Sequence, residues 1–228
     1  MMNDLSVAGA TSRRQGRRLK LAVPRGALLG ETLDALDAIG TDTSELRSDS
    51  RSLIFETEEL VIVTMRPSDV PTYVEAGAAD LGITGKDVLL GQHDRAVYEL
   101  LDLGYGLCRM VLAARTGDER LNEAQRRLGA IRIATKYPKI TEDYFEQTGR
   151  QIEMIEVKGS VELAPIVDLA DGIVDLVATG RTLAENDLEV REEIVTCTAR
   201  LVANRVAHKL RAEEVDGLVA RFREAVGR

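Results

Sequence analysis

Residues 173–177, Ile-Val-Asp-Leu-Val, form an apolar, largely β-branched run that leads directly into Ala-Thr-Gly-Arg-Thr before helix-compatible residues resume. Such a run reads as a buried strand whose carboxyl end opens through a glycine turn into a helix, the repeating unit of α/β folds. The turn constrains chemistry as well as fold. Backbone N–H groups converge where a helix begins and favour an anion. Gly180 admits a close approach, and the hydroxyls of Thr179 and Thr182 can donate to the anion's oxygens. Ala178 and Arg181 complete this cradle. Asp175 projects near the end of the strand, and Asp171 precedes it on the same segment. Carboxylates there would repel a bare phosphate, but they suit ribose hydroxyls or a Mg²⁺ ion that offsets the charge. The expected ligand is a sugar phosphate with a metal. Thr-Gly-x-Thr alone is short enough to arise by chance, and lone aspartates are usually solvated. The weight rests on the whole segment 159–186 and on a second matching segment.

Strand and helix patterns alternate along most of the chain. Residues 19–23 read as a strand, with Pro24, Arg25 and Gly26 as the loop after it. Leu29, Leu33, Leu36 and Ile39 then recur at helical spacing up to Gly40. Strands are expected at 60–64 and 79–84, a short helix from Ser68 and Asp69, and another helix opening at Gly85, Lys86 and Asp87. A further α/β block at 105–184 has strands at 110–114, 131–134, 152–157 and 173–177 and a helix at 141–148. The charged stretch 115–127 reads as loop or surface helix. From Ala199 onward the spacing of Leu201, Val202, Val206 and Leu210 predicts helix. The organisation is then a flexible tail at 1–18, lobe I at 19–104 plus 185–228, and lobe II at 105–184 carrying the cradle. Two α/β lobes with the site in the cleft between them is the expected architecture.

Composition narrows the function classes. The 228 residues carry a net charge of −8, which argues against a general nucleic-acid binder. Two cysteines, Cys108 and Cys197, and two histidines, His93 and His208, make neither a disulfide framework nor a closed zinc cage. Each cysteine reads as a small buried apolar residue rather than a nucleophile. No apolar run reaches the roughly 18 residues of a membrane span. Residues 1–18 lack the apolar core of a signal peptide, so a cytoplasmic protein with no membrane contact is expected.

Three further groups are candidates for chemistry. Arg25 follows the first strand, where open α/β sheets place ligands. Arg51 sits in the polar loop 48–52 and would reach a polyphosphate bidentately, though a lone loop arginine is usually only solvated. Lys136 and Tyr137 end the strand at 131–134, where Pro138 forces a turn. A base could stack on the Tyr137 ring, although a packing role fits it equally well.

These segments together resemble the ATP phosphoribosyltransferase family in its short form, the enzymes of the first step of histidine biosynthesis. The resemblance is carried by GSVELAPIVDLADGIVDLVATGRTLAEN at 159–186, RPSDVPTYVEAGAADLGITGKDVL at 66–89, VPRGALLGETL, ATKYPKITEDYF and TARLVANRVA. It covers residues 19–228. It implies a two-lobed fold similar to type II periplasmic binding proteins, and a reaction in which N1 of the ATP adenine attacks C1 of phosphoribosyl diphosphate and pyrophosphate leaves. Residues 178–182 would then hold the 5′-phosphate, and Asp175, with Asp171, the ribose hydroxyls. Lys136 and Tyr137 would contact ATP. Arg51 matches the arginine of the family's SRxL segment, placed to stabilise leaving-group charge, and Arg25 is the second catalytic candidate. Mg²⁺ would accompany the pyrophosphate, with no metal ligands on the protein itself. Many members read Pro-Lys-Gly-Arg where this chain has Pro24, Arg25, Gly26 and Ala27, so one cation of that loop is missing. Long-form members continue into a regulatory domain, whereas this sequence stops at Arg228, as short forms do. The resemblance therefore also implies a homodimer of this chain and a regulatory subunit similar to histidyl-tRNA synthetase, in a hetero-octamer.

Three other readings compete. A small-anion binding protein of the same fold would need an export signal. A Rossmann-like phosphoribosyltransferase would show two adjacent acidic residues before the cradle, and only Asp175 is present. A catalytically silent regulatory paralogue is disfavoured by the intact cradle and Arg51.

Overall fold

The computed structural model describes residues 17–48, 51–119, 121, 123 and 130–227. Most of the expected tail, and much of the charged stretch 115–127, lie outside the described residues. Arg18, at the edge of that tail, donates to the Thr57 carbonyl at 2.5 Å and pairs with Glu56.

The first part of the chain runs β1 Leu19–Pro24, α1 Leu29–Ala38, α2 Ser44–Arg47, β2 Ile54–Glu56 and β3 Leu60–Met65. A 3₁₀ turn at Pro67–Asp69 leads into α3 Val70–Glu75, then β4 Leu81–Gly85, α4 Lys86–Gly91 and β5 Val97–Asp102. The second part contains β6 Cys108–Arg115, β7 Ile131–Thr135, α5 Pro138–Gln147, β8 Ile152–Glu156 and α6 Leu163–Ile166. It continues through β9 Gly172–Val177, α7 Arg181–Glu185 and β10 Leu188–Cys197. The chain then returns through β11 Ala199–Asn204, α8 Arg205–Leu210 and α9 Ala212–Ala225.

Two sheets result. The first has strand order β2-β3-β1-β4-β11-β5 and the second β10-β6-β9-β7-β8. In the first, β1 lies parallel to both β3 and β4, while β11 enters antiparallel between β4 and β5. In the second, β7 is parallel to β8 and β9, and β6 is antiparallel to β9 and β10. Of the strands with parallel partners, β1, β4, β7 and β9 are covered on both faces and read as largely apolar runs, whereas the edge strand β8 is not. Leu21 and Val23 point into one core with Leu36, Ile83, Leu201 and Phe222, while Ala22 meets Val70, Val74 and Val202 on the opposite face. The α3 helix sits so close to β4 that a Cβ at Gly82 would stand 2.5 Å from Val70 Cγ1 and 2.8 Å from Val74 Cγ2. The second sheet divides its residues in the same way: Ile173 and Val177 face one core, and Val174 and Ile133 the other.

The structure differs from the sequence reading at the return. Residues 188–197, expected in lobe I, form an edge strand of the second sheet, because their backbone groups pair with β6 through residues 108–115. Residues 199–204, expected as helix, form a strand, because Leu201 and Ala203 enter one core of the first sheet and Val202 the other. Helix begins only at Arg205. The chain therefore passes between the sheets through 103–107 and back through Thr198. These crossovers lie side by side: Leu103 N–H donates to the Ala199 carbonyl and Ala199 N–H to the Tyr105 carbonyl, each at 2.9 Å. Elsewhere the lobes touch where α4 packs on α5, with Leu90 resting on the second core.

Candidate active site

The cradle is built as its sequence dictates. β9 carries Asp175 toward its carboxyl end, and the chain turns at Gly180, whose φ of 77° lies in the left-handed region that glycine adopts without strain. Residues 175–183 and Glu162 line a cavity of about 260 Å³. Ala178, Thr179, Arg181 and Thr182 are exposed, so the cradle is open to a ligand. Arg181 N–H reaches back to Thr179 Oγ1 at 3.4 Å, while the Arg181 guanidinium points outward to Glu185 at 2.7 Å. The helix after the turn has only five residues. Its dipole is therefore small, and what the turn can offer an anion is chiefly the N–H groups and hydroxyls of the loop.

Asp175 is the buried acid of this cavity, with 8% of its side chain exposed and Lys136 Nζ 3.2 Å from its Oδ2. Burial raises its carboxyl above the ordinary aspartate value; Lys136 pulls in the opposite direction and Glu162 adds to the rise. The Lys136-Tyr137-Pro138 turn and the cradle, read from the sequence as separate groups, are thus parts of one site. Three threonine contacts hold them together. Thr135 Oγ1 donates to the Val174 carbonyl at 2.9 Å, Tyr137 N–H donates to Thr135 Oγ1 at 2.9 Å, and Thr141 Oγ1 lies 3.1 Å from Thr135 Oγ1. Thr135 and Thr141 are fully buried, so the turn is fixed beside β9. Burial pushes the Tyr137 hydroxyl up, with Asp175 and Asp87 adding to the rise, so it stays protonated and able to donate.

Asp171 is not brought to this site. It stands before the first residue of β9, at the end of the strand away from the cradle, and its carboxylate is held by Arg132. Arg132 N–H donates to Oδ2 at 3.0 Å and Arg132 Nη2 to Oδ1 at 2.7 Å. The four-residue spacing that suggested a pair of ribose ligands is, along an extended strand, a separation of about 13 Å.

Arg25 and Arg51 lie at the carboxyl ends of β1 and β3. Arg25 Nε donates to Thr64 Oγ1 at 2.9 Å and Arg25 Nη2 to the Ser52 carbonyl at 2.7 Å. Arg25 therefore braces the loop on which Arg51 stands exposed.

Two acids passed over in the sequence belong here as well. Glu162, inside the long matched segment, lines the cradle cavity. Asp87 follows Gly85 at the start of α4, where an acid normally reads as a helix cap. Burial raises its carboxyl above the ordinary value, its own N–H and that of Val88 counteract, and its charge reaches Tyr137. Nothing in local spacing distinguishes either residue from a solvated acid.

A family model described as HisG: ATP phosphoribosyltransferase matches residues 66–224. An ATP phosphoribosyltransferase from Rubrobacter xylanophilus is 51% identical over 207 residues, 90% of this chain and 94% of that protein. One from Symbiobacterium thermophilum is 50% identical over 213 residues, 92% of this chain and 96% of its own length. Among solved structures, the ATP phosphoribosyl transferase (HisG:HisZ) complex from Thermotoga maritima contains a chain of TM-score 0.75 and 37% identity, with 92% of this chain and 98% of that one covered. The periplasmic aliphatic sulphonate binding protein SsuA from Escherichia coli has a TM-score of 0.60 at 12% identity, with coverage of 92% and 73%. That likeness shows the fold: two α/β lobes of the type II periplasmic-binding-protein kind.

Proposed function

The chain belongs to the ATP phosphoribosyltransferase family, and on that premise we propose that residues 175–182 hold phosphoribosyl diphosphate while Tyr137 and the lobe junction receive the adenine of ATP. The reaction is transfer of the 5-phosphoribosyl group from phosphoribosyl diphosphate to ATP, giving phosphoribosyl-ATP and pyrophosphate, the first step of histidine biosynthesis. The observation that carries the site assignment is the open glycine cradle with a buried carboxylate on its floor.

The 5′-phosphate accepts hydrogen bonds from the N–H groups and hydroxyls of 178–182, and Asp175 accepts from the ribose hydroxyls. Lys136 offsets the Asp175 charge until the sugar arrives. Adenine N1 attacks C1 with its own lone pair, so no strong general base is needed. As the bond to pyrophosphate breaks, negative charge grows on the leaving oxygens, and Arg51, positioned by Arg25, stabilises it. Asp175 and Glu162 are hard oxygen donors of the kind Mg²⁺ takes, so the cavity fits the ion that phosphoribosyl diphosphate brings with it. Bound with the diphosphate, Mg²⁺ would offset its charge. Asp171, tied to Arg132, serves the fold rather than the ligand.

The likeness to the HisG:HisZ complex from Thermotoga maritima supports a HisZ-like regulatory partner. That the partner resembles histidyl-tRNA synthetase, and that this chain is a homodimer inside a hetero-octamer, rests on the sequence resemblance alone. No helix among the described residues is long and apolar enough to cross a membrane, and a cytoplasmic setting suits the biosynthetic role. The small-anion binding alternative shares the fold but has no observation of its own.

The test mixes the chain, ATP, phosphoribosyl diphosphate, Mg²⁺ and a pyrophosphatase, and follows the ultraviolet change of N1-ribosylated adenine with and without the partner. Turnover supports the reading, and histidine sensitivity only with the partner supports the short-form assembly. Silence in both conditions with ligand binding intact would favour the anion-binding alternative.

A further inference from the structure

Cys108 is the first residue of β6 and Cys197 the last of β10, and the two stand directly opposite in antiparallel register where the chain crosses between the sheets. Directly opposed residues of an antiparallel pair have Cα atoms about 4.5–5.5 Å apart and side chains on one face. That lies inside the roughly 4.4–6.8 Å that disulfides span. Cys108 Sγ is 3.8 Å from the Cys197 carbonyl oxygen, and both thiols are free. The transfer chemistry uses neither.

The two sulfurs differ in reach and in reactivity. Cys197 is fully buried, whereas Cys108 is half-buried beside the exposed Leu107. The neighbouring Cys197 holds the Cys108 thiol below its ordinary value, against the opposing influences of burial and Asp87, while Cys108 and burial push the Cys197 thiol up. A reagent in solution meets the better nucleophile first.

We propose that Cys108 and Cys197 form a reversible disulfide by exchange with a low-molecular-weight disulfide, fastening the two crossovers between the lobes to each other. The Cys108 thiolate attacks one sulfur of the reagent, and the other sulfur leaves as a thiolate. The Cys197 thiol then loses its proton and attacks Cys108 Sγ in the mixed disulfide, and the second reagent thiolate leaves. Two protein thiols are oxidised, and one reagent disulfide is reduced to two thiols. The closed ring contains the entire second sheet, so the cross-link limits both separation of the crossovers and unfolding of that lobe.

The purified chain is treated with oxidised glutathione or cystamine, acid-quenched, denatured and alkylated. The expected product has lost both titratable thiols, has a mass lower by about 2 Da, melts at a higher temperature, and reverts with dithiothreitol. Cys197→Ala should instead accumulate the mixed disulfide on Cys108, and Cys108→Ser should leave Cys197 unmodified in the folded chain. Wild type that stops at the mixed disulfide, or keeps both thiols in excess reagent, would overturn the proposal. So would a Cys108→Ser chain whose Cys197 reacts as fast as wild type. These readouts need no substrate, so they stand apart from the transferase reading.

Discussion

At the scale of single residues, the site depends on a few groups whose environment makes them unequal to their neighbours. Asp175 is buried on the cradle floor with Lys136 against it, and Thr182 is exposed at the rim. Asp175→Asn should raise the KM for phosphoribosyl diphosphate about 10- to 100-fold, and Thr182→Ala about 5- to 10-fold, from the hydrogen bonds each removes. Initial-rate saturation curves check this, and unchanged KM values would remove the cradle assignment. Arg51→Ala should lower kcat about 100-fold with a smaller effect on substrate affinity, the cost of losing one donor to developing charge. Direct titration of ligand binding beside turnover separates the two effects. Asp87 gives a pH-dependent prediction. Its folded value is raised, so its contribution to stability is present at low pH and lost as pH rises through that value. Asp87→Asn should therefore melt higher than wild type at pH 7, with the gain shrinking as pH falls toward 3.8, the ordinary aspartate value. A uniform loss of Tm across the range would mean that the carboxylate is needed as a helix cap.

At the scale of elements, the sequence was readable where one strand is buried on both faces and ends at a distinctive turn. β1, β3, β7 and β9 fall within a residue or so of their expected bounds, and the cradle on β9 came with them. Two kinds of element were not readable. β11 is a short apolar run buried on both faces, which periodicity alone cannot tell from helix, and α8 follows it without a break. Asn204 marks the change, accepting from the N–H groups of Val206 and Ala207, but Asn at a helix start is too common to place a boundary. β10 was missed because its register shifts between Val190 and Glu192, and again between Glu193 and Val195, so no alternation survives in its sequence. A polar clamp holds this irregular strand. Arg150 donates to both Glu192 oxygens at 2.6 and 3.0 Å, Tyr144 also donates to Glu192, and the guanidinium lies 4.7 Å over the Phe145 ring. Desolvation, the largest single influence, would raise the Glu192 carboxyl, but the combined hydrogen bonds hold it below the ordinary glutamate value. Its contribution is thus present above that ordinary value and lost as pH falls through the folded one. Glu192→Gln should cost about 1 kcal/mol near neutral pH, after discounting for partial exposure, and the difference should fade in acid. Urea melts of both proteins at several pH values check it.

At the scale of the whole molecule, each lobe has its own pair of cores, and the lobes share the paired crossovers and the contact of α4 with α5. The sequence conveyed the two-lobed plan because strand and helix patterns alternate in two blocks. It could not convey the ownership of 188–197, since sheet membership is decided by pairing with residues far away in the chain. A ligand that binds the folded cradle stabilises what it binds, so phosphoribosyl diphosphate with Mg²⁺ at 100 times its Kd should add about 2.7 kcal/mol. Scanning calorimetry reports this, and a transition that ignores the ligand would place the sugar phosphate elsewhere.

The antiparallel entry of β11 between β4 and β5 also bears on the order in which the protein is made. During synthesis the first five strands leave the ribosome long before β11, yet β4 and β5 have no hydrogen bonds to each other and meet only through it. Until β11 emerges, the nascent first lobe carries an open edge on β4 and a β5 that can pack on α3 but has no strand to pair with, while all the strands of the second lobe are already available to pair. The half of the molecule synthesised first is therefore the half completed last, and its unpaired strand edge is the surface that a holdase chaperone would meet on the growing chain.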